Sequence, residues 1–374
     1  MVKVLVSIGT RPEAVKLAPL VHELRQRSEA SVRVLATAQH RELLDQILDF
    51  FGVQADVDLD LMRDNQGLAD LTARMTTAVD AVLAEERPDF VFAQGDTTTV
   101  MVTGLCCYYR KVPFGHVEAG LRTGQKFSPF PEEMNRSLVG RLADLHFAPT
   151  SRARDNLLSE GIDPATIHVT GNTVIDALQW SIERTDASEF TASEGRRLVL
   201  VTAHRRENFG QPFEEICAAL RELADRPDVE LLYPVHPNPN VQAVVKRMLT
   251  DHPRIRLIEP LDYPRFVAAM RAAHLILTDS GGVQEEAPTL GKPILVLRDE
   301  TERPEGVDAG TAILVGPHQD RILSQANRLL DDQSAYQAMA QARNPYGDGT
   351  ASSRIVDALQ DWRERADARL ASAR

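Results

Sequence analysis

VKVLVSIGTRPEAVKLAPL, residues 2–20, changes pattern twice within one short stretch. VKVLVSI is almost continuously apolar and β-branched, as a strand covered on both faces should be. From Ala14 the apolar residues recur at helical spacing, which predicts a helix over 14–27. Between the two lies GTRPE, a short charged loop with Gly9, Arg11 and Glu13, and Lys16 follows on the helix. Strand, short loop and helix form the repeating unit of a parallel α/β fold. The loop lacks the G-x-G-x-x-G fingerprint of a dinucleotide site, which occurs nowhere else in the chain. A nicotinamide cofactor is therefore not expected.

The same unit recurs along the chain. VRVLATA, DFVFAQG, VPFGHVE and DLHFAPT continue the first half, and RLVLVTA, VELLYPV, IRLIEP, LILTDS, PILVLR and AILVG make up the second. Helical patterns at 67–86, 212–225 and 264–273 lie among them. Eleven strands exceed a typical open sheet, and the stretch from Thr185 to Gly195 reads as polar surface loop. The expectation is an α/β protein of two Rossmann-like, doubly wound domains facing each other across a cleft. The first would span 1–170 and the second 171–350, with a charged helix over 351–374 packing back on the first.

The composition excludes several classes. The 374 residues suffice for about two domains. A net charge of -12, from 42 basic and 54 acidic residues, argues against a general nucleic-acid binder. The opening MVKVLVSIGTRPE does not read as a signal peptide, and no apolar run approaches a membrane span. The three cysteines, Cys106, Cys107 and Cys217, have no Cys-x-x-Cys spacing, and no H-E-x-x-H motif occurs. A reduced, cytoplasmic enzyme without a metal or other cofactor is expected, with neither nucleic acid nor membrane as a partner.

Ligands of open parallel sheets bind beyond the carboxyl ends of the strands, and this chain concentrates its charged residues there. They are GTRPEAVK; QGDTTT with Asp96; GHVEAGLRTG with His116, Glu118 and Arg122; and SPFPEEMNR with Glu132, Glu133 and Arg136. In the second half they are TAHRRENFG with His204, Arg205 and Arg206; VHPNPN with His236; TDSGGVQEEAP; and DETERPEGV with Arg303 and Glu305. Such a set suits a ligand with a charged part and a polyhydroxylated part.

GTRPEAVKLAPL, QGDTTT, HVEAGLRTG, SPFPEEMNR, TGNTVIDAL, TAHRRENFG, TDSGGVQEEAPTLGKP and ERPEGV occur in this order, between residue 3 and about residue 357. Together they closely resemble the bacterial non-hydrolysing UDP-N-acetylglucosamine 2-epimerases. The resemblance implies the two-domain GT-B architecture, a homodimer, and reversible conversion of UDP-GlcNAc to UDP-ManNAc for surface polysaccharides. It also implies the route: elimination of UDP, a 2-acetamidoglucal intermediate, and re-addition of UDP. A hydrolysing epimerase and a GT-B glycosyltransferase are the neighbouring alternatives.

The resemblance assigns acid/base work to Asp96, Glu118 and Glu132, and contact with the diphosphate to Arg11, Lys16 and His204, the last counted with the three carboxylates as catalytic. Ser280, Gly281 and Gly282 would meet the diphosphate, Glu286 the ribose hydroxyls, Arg303 the diphosphate or the ribose, and Phe266 would also bind substrate. Crowding of three carboxylates would raise at least one pKa. A second, regulatory UDP-GlcNAc would touch Gln39, Glu42, Arg206 and His236, with Asn65 where some relatives carry arginine. Plainer readings stand beside these. Asp96 would cap a helix, Glu118 would pair with Arg122, Glu132 and Glu133 would be helix-start charges, and His204 would be a structural histidine. Glu285 reads as a helix N-terminal charge.

Overall fold

The structure, a computed structural model, describes residues 2–27, 29–37, 41–63 and 66–372, except the side chains of 41–43, 367 and 369–372. It divides into two compact units, Met1–Ala177 with Gly347–Arg374, and Leu178–Tyr346.

Unit 1 begins β1 (Val2–Ile8), α1 (Arg11–Gln26), β2 (Ala30–Ala36), α2 (Arg41–Phe50), β3 (Val57–Asp58), α3 (Leu68–Glu86) and β4 (Phe90–Gln94). It continues α4 (Thr98–Arg110), β5 (Phe114–Val117), α5 (Glu132–Leu142), β6 (Leu145–Ala148), α6 (Ser151–Ser159), β7 (Ile167–Val169) and α7 (Thr173–Ile182). The last turn of α7 belongs to unit 2. There follow β8 (Arg197–Thr202), α8 (Gln211–Ala224), β9 (Val229–Pro234), α9 (Pro239–Leu249), β10 (Ile255–Ile258), α10 (Tyr263–Ala272) and β11 (Leu275–Thr278). Unit 2 closes with α11 (Gly281–Glu286), β12 (Ile294–Val296), α12 (Pro304–Asp308), β13 (Ala312–Leu314), α13 (Gln319–Asp331) and α14 (Gln333–Ala340). Finally α15 (Ala351–Ser372) returns to unit 1 and packs on α1. There Ile355 and Val356 are buried, and the Trp362 ring meets Phe90 of β4 edge-on at 5.3 Å.

The first sheet has the order β3-β2-β1-β4-β5-β6-β7, and the second β10-β9-β8-β11-β12-β13. Every neighbouring pair is parallel. Both are Rossmann-like sheets, and their order reverses between β1 and β4 and between β8 and β11. The apolar runs follow from the burial of both faces. On β8, Val199 and Val201 enter one core cluster while Leu198 and Leu200 enter the cluster on the opposite face.

The structure differs from the sequence reading in three places. The strands β3 and β7 were not foreseen; they are edge strands of two and three residues and largely lack buried side chains. Within 185–195 a 3-10 turn, Ser188–Phe190, sends Phe190 into the core at 3 % exposure, so that stretch is anchored rather than wholly surface loop. Helix α1 starts at Arg11, because Thr10 and Glu13 form a capping box that closes its first turn earlier than the apolar spacing does. Among the described residues no helix is long and apolar enough to cross a membrane.

Candidate active site

In unit 1 the chain enters the switch point through Gly9. A β-carbon there would meet Thr99 Oγ1 at 2.0 Å and Thr37 Oγ1 at 2.8 Å, so only glycine lets the strand end run this close to its neighbours. The backbone N–H groups of Gly9 and Thr10 both donate to the carboxylate of Glu13, and the Thr97 hydroxyl donates to its other oxygen. In a Rossmann dinucleotide site the N–H groups of this turn face a pyrophosphate. Here a side chain of the protein occupies them. Glu13 is 2 % exposed, and burial pushes its pKa up to about 7 despite those three donors.

Glu118, after β5, is a non-glycine residue at φ 64°. Lys16 Nζ is 2.6 Å from Glu118 Oε1, which also accepts from Asn172 Nδ2 at 2.9 Å. Gln94 Nε2 donates to Glu118 Oε2. Glu118 does not pair with Arg122, whose guanidinium forks onto Glu160 at 2.6 and 2.9 Å. Backbone strain at a residue with this many side-chain partners is the pattern expected where a side chain must be aimed.

Asp96 pairs with Arg136 at 3.0 Å, and Asn135 Nδ2 holds its backbone carbonyl at 2.9 Å. Burial raises the Asp96 pKa; Glu118 and Glu132 add to the effect, while Arg136 and Lys16 oppose it. Asp96 is not the cap of α4, because Thr97 is. Glu132 begins α5 and is half-buried. Glu133 is structural: it is buried and accepts the backbone N–H groups of Thr123 and Gly124 at 3.0–3.1 Å. His116 is buried too. Its Nε2 hydrogen-bonds the Gly95 carbonyl at 2.7 Å, and burial lowers its pKa to about 3, so it stays neutral and supports the Asp96 loop. Arg11 lies exposed on the first turn of α1.

In unit 2 the loops after β8 and β11 meet at the second switch point. Asp279 is fully buried, and its Oδ2 accepts the backbone N–H of His204 at 2.7 Å and of Arg205 at 2.8 Å. The His204 ring stacks on His236 with centroids 4.9 Å apart and planes 8° from parallel. Ser280 precedes α11, and its side chain caps no N–H of that helix. Glu286, 6 % exposed, accepts from Tyr263 Oη at 2.8 Å, while Phe266 is half-buried one turn along α10.

Glu285 is not a mere dipole charge. It is 2 % exposed and accepts from Arg303 Nε, which brings the guanidinium carbon to 3.8 Å from where a β-carbon on Gly281 would stand. Tyr346 Oη donates to the Arg303 carbonyl at 3.0 Å, fixing the backbone as well. The first carboxylate after the glycines thus holds a cation beside them.

The structure gathers Lys16, Asp96 and Glu118 at one switch point, with Glu132 among the charges that act on Asp96. It gathers His204 and His236 at the other, and joins Arg303 to the Ser280–Glu286 segment. Arg206 lies exposed on the 3-10 turn Arg206–Asn208. Gln39 and Asn65 lie outside the described residues, as does the side chain of Glu42. Sequence reading gave no role to Glu13, Gln94, Asn172, Tyr263 or Asp279. The T-x-x-E of the capping box could have flagged Glu13; nothing local marks the others.

The family model described as UDP-N-acetylglucosamine 2-epimerase matches residues 22–360. The chain belongs to this family. It is 51 % identical over 372 residues to the UDP-N-acetylglucosamine 2-epimerase of Escherichia coli K12, covering 96 % of this chain and 99 % of that one. It is 50 % identical over 359 residues to the Bacillus subtilis 168 enzyme, covering 96 % and 94 %. Its fold matches the crystal structure of the UDP-GlcNAc 2-epimerase of Neisseria meningitidis bound to UDP-GlcNAc. The TM-score is 0.88 and the identity 45 %, over 96 % of this chain and all of that one. Family and fold thus agree with the sequence motifs.

Proposed function

We propose that the protein interconverts UDP-GlcNAc and UDP-ManNAc without hydrolysis. The observation that carries this reading is the cluster of Asp96, Glu118 and Lys16 at the unit 1 switch point, with one carboxylate pKa raised by burial. The C2 hydrogen of the sugar is not acidic while C1 holds the diphosphate. As the C1–O bond breaks and UDP leaves with its electron pair, a carboxylate takes the C2 proton, and the C–H electrons form the C1=C2 bond of a 2-acetamidoglucal. Re-addition reverses these steps: a proton reaches the other face of C2, and a phosphate oxygen of UDP bonds to C1. A carboxyl group whose pKa is raised toward the working pH can both give and take that proton.

In this reading unit 2 holds UDP. Arg303, steadied by Glu285, and His204 face the diphosphate beside Ser280, Gly281 and Gly282; Glu286 takes the ribose hydroxyls; and Phe266 lies near the base. Lys16 and Arg11 offset charge on the leaving group. The product serves surface polysaccharide synthesis in the cytoplasm. Incubation of UDP-GlcNAc with the pure protein in heavy water, followed by proton NMR, should show UDP-ManNAc and loss of the C2 proton signal from both sugars. Retention of the original hydrogen, or release of free ManNAc with UDP, would overturn the non-hydrolysing route.

The protein also acts as a homodimer in this reading. Leu68 on α3, Tyr108 and Tyr109 on α4, and Met134 and Leu138 on α5 are exposed large apolar side chains, and α4 packs against both α3 and α5. Exposed apolar side chains on three neighbouring helices support pairing of this part of unit 1 with a second copy. Sedimentation should give a dimer for the parent chain and a monomer for the double variant Tyr109→Asp, Leu138→Asp. A monomeric parent would refute the pairing.

A further inference from the structure

Asp279 uses only half of its carboxylate in the hydrogen bonds around it. Oδ2 takes the backbone N–H groups of His204 and Arg205, and Asn208 Nδ2 stands at 3.4 Å from it. Oδ1 is buried and has no hydrogen-bond partner among the described residues. A buried carboxylate oxygen left without a donor is costly. Its nearest ionisable neighbour is His204 Nδ1, at 3.6 Å. That is too long for a hydrogen bond, and a small turn of the ring would close it.

The groups facing His204 limit its choices. On one side is the stacked His236 ring, whose Nδ1 accepts the Asn238 N–H at 3.2 Å and whose proton therefore sits on Nε2 in the neutral form. On the other is Asp279, with Arg205 next along the chain. Burial holds the His204 pKa below its usual value, with His236 and Arg205 pushing the same way and Asp279 pulling it up. The imidazole therefore rests neutral, with one N–H. A third charge could change that. An anion arriving at Nε2 would favour the imidazolium, and the idle Oδ1 would receive its second proton.

Resting on the reading that unit 2 binds UDP, we propose that Asp279 is a positioning residue that makes His204 take up a proton from solvent when the diphosphate binds. The bound state is then a line of Asp279 carboxylate, His204 imidazolium and phosphate. Nδ1–H donates to Oδ1 and Nε2–H to a phosphate oxygen, and each charge has a partner. When UDP leaves the protein the proton returns to solvent.

Asp279→Asn separates this role from mere support of the loop. The amide oxygen can replace Oδ2 toward the two backbone N–H groups. The amide NH2 then points at Nδ1, which must offer a lone pair and cannot carry the second proton. Calorimetry of UDP binding at pH 7.5, in two buffers of different ionisation enthalpy, reads the number of protons exchanged. The parent should take up a substantial fraction of one proton more than His204→Gln, and Asp279→Asn should match His204→Gln. Equal uptake by all three would overturn the proposal. If UDP fails to bind the parent, the reading of unit 2 falls instead. Should Asp279→Asn not fold, nitrogen NMR of the His204 ring in the parent decides. The ring should change from the neutral Nε2–H form to doubly protonated on UDP addition, and a ring that stays neutral would refute the proposal.

Discussion

Glu118→Gln should lower turnover about a hundredfold or more, the usual scale for loss of an acid–base group, while UDP binding stays within a few-fold of the parent. Gln keeps the volume of the side chain and can still accept from Asn172, but it carries no charge for Lys16, whose side chain is only 15 % exposed. Its amide NH2 also faces Gln94 Nε2, donor to donor, so one of the two amides must flip. The change therefore removes the charge, the ion pair and the aim of the side chain together. The backbone at φ 64° remains strained with no functional return. Stopped assays of UDP-ManNAc formation, with UDP titrated separately, measure both quantities. Near-normal turnover would remove Glu118 from the acid/base set.

Glu13 leads to the second large effect, on stability. Its pKa is raised from 4.5 to about 7 in the folded chain. The folded state therefore holds this proton at pH values where the unfolded state has lost it. Stability from this group is unaffected below about pH 4.5, falls as pH rises toward 7, and is flat above. The gap corresponds to roughly 3 kcal/mol. Glu13→Gln stays neutral throughout, and its amide can accept the Gly9 and Thr10 N–H groups while donating to the Thr97 hydroxyl. The variant should match the parent near pH 4.5 and gain on it by up to about 3 kcal/mol at pH 8. Urea unfolding across this range, with amide exchange of β1 and β4 to isolate unit 1, gives the difference free of other titrations. Parallel curves would show that Glu13 is ionised in the fold over the whole range.

The strands buried on both faces were legible because burial leaves no polar position to break the run, as in VKVLVSI and RLVLVTA. β3 and β7 were not, since edge strands of two or three residues carry no periodicity to read. The charged loops were legible as a group, because ligands of open parallel sheets bind beyond the carboxyl ends of the strands. Their pairings were not. Lys16 meets Glu118 across 102 positions, and Glu285 meets Arg303 across 18. Such partners are set by strand order, which local pattern does not encode. Arg122 shows the cost of reading by proximity, since its partner is Glu160 and not the nearby Glu118.

Helix α15 has a consequence for biosynthesis. The segment Leu178–Tyr346 is continuous and can close as soon as it leaves the ribosome. The unit that precedes it cannot, because Ile355, Val356 and the Trp362 ring that covers Phe90 are translated afterwards. The earlier-made half is thus the later-finished one, and the nascent chain carries an uncovered apolar seam along α1 and β4 for as long as the intervening residues take to appear. That interval is when a chaperone has the most to bind.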